Sequence, residues 1–114
     1  MTIIIVIMTP RLAFELIYAP LVKRHLRAIE PKYHSFIREA IERQLKHEPD
    51  VETKNRKPLK RPILLGAKWE LRCGPNNCFR VFYKVDRKVH EVDILAIGEK
   101  RGDRLRVGRE EIEL

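Results

Sequence analysis

Between residues 54 and 72 the chain reads KNRKPLKRPILLGAKWELR. Lys54, Arg56, Lys57, Lys60, Arg61, Lys68 and Arg72 stand there against one acid, Glu70, a local charge of +6 within a chain of 114 residues and net charge +8. Positive charge concentrated in this way attracts polyanions, and neutralising phosphates is its usual use. A plain solvated loop would intersperse both signs more evenly. Cys73 and Cys78, in the stretch CGPNNC, are spaced so that they could reach disulfide distance across a hairpin. Two cysteines with no second pair and no suitably spaced histidine make half a metal site, so no metal and no cofactor is expected. With no secretory signal the thiols are read as free, in a reducing cytoplasmic compartment. His25 lies on an apolar stripe and reads as a packing residue. His34, His47 and His90 have no chemical partner that the sequence assigns.

The elements that must hold these groups follow from periodicity. Phe14, Leu16 and Tyr18 alternate, as in a short strand. Pro20 sits where a first helical residue belongs, and Val22, His25, Leu26 and Ile29 recur at helical spacing behind it. Pro31 breaks that helix and opens a second over 31–47, whose apolar face is Tyr33, Phe36, Ile37, Ala40, Ile41 and Leu45. Residues 51–66 lack periodicity and read as an ordered basic connector stiffened by prolines. Three strands follow, over 68–73, 79–85 and 89–97, with turn chemistry at Gly74-Pro75-Asn76-Asn77 and Asp86-Arg87-Lys88. The last ends in the apolar run Ile94-Leu95-Ala96-Ile97, as in a strand covered on both faces. A three-residue hairpin loop would place Lys68, Arg72, Arg80 and Lys84 on one face; a four-residue loop would not. The charged tail, 98–114, holds a short helix or strand.

The composition suits one globular domain, 44% hydrophobic, with α+β architecture: a helical hairpin on one face of a small antiparallel sheet. The opening MTIIIVIM is too short for a membrane span and lacks a basic flank and cleavage site. It reads either as an extra edge strand or as translation from an upstream start, with Met8 the true one.

The strings NRKPL, WELR, FRVFYKVD and ILAIGEK, in this order and spacing, resemble the RelE/ParE superfamily of toxins from bacterial type II toxin–antitoxin systems. The resemblance runs from residue 14 onward. It implies a RelE-like fold over 14–114, an N-terminal strand and helical hairpin on an antiparallel sheet, with 1–13 an extra segment. RelE-like members cut messenger RNA in the ribosomal A site, whereas ParE-like members inhibit DNA gyrase, so the site and not the fold must decide between them.

In the nuclease branch the ribose 2′-OH attacks the adjacent phosphate without a metal, needing a base, cations for the developing charge, and an acid. The resemblance gives Arg80 the scissile phosphate, which a planar guanidinium suits. Lys57, before Pro58-Leu59, occupies the place of the general base, with like-charged neighbours to lower its proton affinity. Lys68 matches one of two catalytic lysines; the second is replaced by Glu70, which either takes the base role or marks a weaker site. Lys100 stands where a catalytic arginine follows the closing glycine. The tyrosine expected beyond it is absent, and no aromatic follows Tyr83. Lys54, Arg56, Lys60, Arg61 and Arg72 are the expected RNA-backbone contacts. The partners implied are a cognate acidic antitoxin, the ribosome and mRNA, with neither a membrane nor a small-molecule substrate. The alternatives are a non-enzymatic gyrase inhibitor and a toxin-like protein that only sequesters a partner.

Overall fold

The computed structural model of the chain describes residues 12–61 and 65–112. The N-terminal apolar run and Met8 lie outside them. Strand β1 (Glu15–Tyr18) leads into helix α1 (Leu21–Arg27), a 3-10 turn at Pro31–Tyr33 and helix α2 (His34–Leu45). Six strands follow: β2 (Arg56–Pro58), β3 (Trp69–Cys73), β4 (Phe79–Asp86), β5 (Glu91–Arg101), β6 (Arg104–Val107) and β7 (Glu110–Ile112). The sheet order is β2-β3-β4-β5-β6-β7, all antiparallel, and β1 joins β5 in parallel. The class is therefore α+β, but the sheet is larger than the sequence suggested. The connector contributes β2, and the tail forms the β6–β7 hairpin. The three residues of β2 are too few to show alternation within the connector, whereas the tail, expected to hold a short helix or strand, holds two strands.

Both helices lie against one face of the sheet. α2 is too short to hold itself in water and is stabilised by burying Ile37, Ala40, Ile41 and Leu45 on Leu71, Phe79, Val81 and Tyr83. Phe36, expected in that stripe, points largely outward at 46% exposure. Tyr33 packs on Phe79 with ring centroids 5.1 Å apart. The buried Tyr83 hydroxyl donates to the Pro49 carbonyl at 2.6 Å and ties the end of α2 to β4.

The second face carries its own small core of Ala67, Phe82, Ala96, Leu105 and Val107, with Leu59 packed beside it. Phe82, grouped by alternation with Arg80 and Lys84, is accordingly fully buried. A bulge lets this happen on β5: Phe82 pairs with Ala96 but Tyr83 with Ile94, leaving Leu95 as the extra residue. The apolar run 94–97 is thus covered on both faces, as its composition indicated.

One edge of β5 is shared. β1 pairs with its residues 91–94, and β6 pairs from Gly98 onward. In the gap between them the Ile97 amide donates to His25 Nδ1 at 3.2 Å. His25 is a buried packing residue whose imidazole satisfies a strand edge that no strand reaches.

Candidate functional site

The turn after β3 sets the site. Gly74 has φ 84°, and a side chain there would run into the Phe79 ring. Asn76 and Asn77 also adopt positive φ, which asparagine tolerates better than most residues. The turn fixes the register Cys73↔Phe79, Arg72↔Arg80 and Glu70↔Phe82. This is the register of the three-residue loop, so Glu70, Arg72 and Arg80 share the face turned away from the helices.

Glu70 is buried, 6% exposed, and its Oε1 accepts from Arg72 Nε at 2.6 Å and from Arg80 Nη1 at 2.9 Å. Arg80 Nε donates to the Asn77 carbonyl at 3.0 Å. The two guanidiniums differ: the Arg80 side chain is 12% exposed and that of Arg72 39%. Arg80 is therefore held from two sides, while Arg72 reaches solvent. Glu70, expected as a base or as the mark of a weaker site, has the geometry of a brace that orients two cations.

Arg80 lines an open cavity of about 540 Å³ with Asn77, Glu99, Lys100 and Arg101. Lys100 is fixed in β5 opposite Leu105, and its amide donates to the Cys78 carbonyl at 2.7 Å. Arg101 pairs with Glu99 at 3.0 Å. Beside Arg80 on β5 is Gly98, where a Cβ would lie 2.9 Å from the Arg106 carbonyl and from the Val107 side chain. Glycine is required there for β6 to approach. Arg101 was missed in the sequence because it sits in a charged tail with no apolar alternation around it.

The remaining candidates are spread along the same face. Lys57 is the cross-strand partner of Glu70 on β2, and its Nζ lies 3.8 Å from Glu52. A carboxylate therefore stands beside the Lys57 side chain. Lys68 extends the ladder through Lys68 N–H to Tyr83 O at 3.0 Å and alternates onto the Glu70 side. Lys54, Lys60 and Arg61 are exposed in the segments flanking β2. Arg56 does not join them. It is buried and donates to Gln44 O at 2.7 Å, Gln44 Oε1 at 3.2 Å and Val51 O at 3.0 Å. Its charge closes the C-terminal end of α2, where free carbonyls favour a cation.

Cys73 and Cys78 are free thiols. Burial pushes Cys73 up to about 11 and raises Cys78 as well, so both are packing groups behind the turn and weak nucleophiles. Among the described residues no group of His, Cys, Asp and Glu is arranged to hold a metal ion, and no helix is long and apolar enough to cross a membrane.

Comparison with protein-family models, curated proteins and solved structures finds no match to this chain.

The arrangement has a definite chemical capability. A guanidinium fixed in the lining of an open cavity, with an ammonium on the neighbouring strand, can grip a phosphodiester and stabilise added negative charge on it. The braced geometry removes most of the cost of ordering Arg80 at the moment of binding.

Proposed function

We propose that this chain is a RelE-like toxin of a type II toxin–antitoxin system that cleaves ribosome-bound mRNA in the cytoplasm without a metal. The observation that supports the reading is Arg80, braced by Glu70 and Asn77 beside Lys100 in one open cavity. In this scheme Arg80 takes the non-bridging oxygens of the scissile phosphate and Lys100 adds a second charge. The 2′-OH attacks phosphorus as its proton passes to Lys57 or Lys68 of the same face in the amine form, and the bond to the 5′ oxygen breaks as that oxygen takes a proton from the Lys100 ammonium, which leaves a cyclic phosphate and a free 5′-OH. Arg72, Lys54, Lys60 and Arg61 hold the flanking backbone. An acidic antitoxin covers the basic face through charge complementarity.

A second reading, a ParE-like inhibitor of gyrase without chemistry, draws on Glu70, whose carboxylate takes up charge on two arginines that a nuclease would aim at phosphate. Inducible expression with uracil, thymidine and amino-acid incorporation followed together separates the two. Arrest of amino-acid incorporation first is expected for the nuclease. Arrest of thymidine incorporation first would refute it in favour of gyrase.

A further inference from the structure

A second basic notch lies away from Arg80, where the β5 edge is open between β1 and β6. A cavity of about 570 Å³ is lined there by Arg24 and Arg27 of α1, Arg109 of the β6–β7 turn, the His25 ring, and the apolar Ala96 and Val107. That volume is within the range of small-ligand sites. The three arginines are exposed and carry no ion pair among the described residues, whereas Arg101 and Arg104 nearby are matched to Glu99 and Glu111. One acid, Glu110, shares the lining. Three unmatched guanidiniums at the rim of a partly apolar cavity suit a ligand that is anionic at one end and flat and apolar at the other.

We propose that this notch binds one unstacked nucleotide of single-stranded RNA, its phosphate on Arg24, Arg27 and Arg109 and its base against the arginine planes and the exposed side chains of Leu21 and Leu65, which also line the cavity. The proposal rests on the RNA-binding reading given above but not on cleavage. The notch gives the protein a second grip on the strand, distinct from the Arg80 cavity.

The test is a titration of the isotopically labelled full chain with adenosine monophosphate, adenosine and inorganic phosphate, followed by amide resonances. Adenosine monophosphate should move the amides of Ala96, Ile97, Val107 and Gly108 saturably, and adenosine should not. The double variant Arg27→Glu/Arg109→Glu, both changes on exposed positions, should weaken that binding by about tenfold or more. Shifts confined to residues 77–80 and 99–101, or unchanged affinity in the double variant, would overturn the proposal. Inorganic phosphate matching the nucleotide in affinity would overturn nucleotide recognition. Because no cleavage is read, a chain that cuts no RNA can still pass and one that cuts RNA can still fail.

Discussion

Replacing Glu70 by alanine should destabilise the protein by about 3 kcal/mol, nearly all of it through Arg80. Removing one partner of a buried ion pair typically costs 3–5 kcal/mol, because the other charge is left desolvated, and Arg80 is 12% exposed against 8% for the Glu70 side chain. Arg72 shares the same carboxylate oxygen but is 39% exposed, so water takes over when the partner goes and the loss is under about 1 kcal/mol. Arg80 keeps its bond to the Asn77 carbonyl, which places the total at the lower end of the range. For a domain of this size that is a fall in melting temperature of about 12 °C. Thermal and urea melts of Glu70→Ala, Arg80→Ala, Arg72→Ala and the two double variants give the coupling energies directly. The Glu70–Arg80 coupling should be about 2 kcal/mol and the Glu70–Arg72 coupling less than half that. Equal couplings, or a Glu70→Ala loss under about 0.5 kcal/mol, would refute the brace.

Three further outcomes follow from buried groups. His25 is held below the ordinary histidine range, first by burial and then by Arg24, with Glu110 opposing. A base depressed in the folded state binds its proton more readily when unfolded, so its contribution is complete above about pH 6.5 and is lost as pH falls below it. The urea midpoint should drop between about pH 7 and pH 5, and His25→Gln should flatten that slope while leaving an acceptor for Ile97 N–H. Tyr83→Phe removes the donor to Pro49 O and should cost about 1–3 kcal/mol in a urea melt by orphaning a buried carbonyl. Cys73, buried and pushed up to about 11, should resist alkylation at neutral pH until the chain is unfolded; rapid labelling in the native state would contradict its placement.

The strands over 69–73 and 79–86 and α2 were legible because each shows a clean period of two or 3.6. Pro31 and the Gly74–Asn77 cluster marked their own turns. The hairpin register was open in the sequence, since three- and four-residue loops fit the same letters; the positive φ values at Asn76 and Asn77 decide it. What hid the site's construction was charge. Arg56 and Arg72 look alike in a basic run, yet one is turned inward onto Gln44 and Val51 and the other faces solvent. No local pattern tells a cation that closes a helix end from one that pairs at the surface. Glu70 reads in the sequence as a base or as the mark of a weaker site, because the pairing of β3 with β4 that makes it a brace is a contact between residues ten apart. The second core under Phe82 escaped notice for a similar reason, since Leu105 and Val107 arrive from a tail whose charges mask its alternation.

The most direct test of the Arg80 assignment is cleavage of ribosome-bound mRNA, mapped by primer extension, for the wild type and Arg80→Lys. Alanine is the wrong probe, because it leaves Glu70 buried beside an empty place and confounds chemistry with folding. Lysine keeps the charge that Glu70 requires but loses the planar fork that grips the phosphate. The wild type should give defined cuts, and Arg80→Lys, with its melting temperature within a few degrees of the wild type, should cut about 100-fold more slowly. Undiminished cutting by a folded Arg80→Lys, or no cutting by the wild type at any ribosome concentration, would contradict a nuclease centred on Arg80.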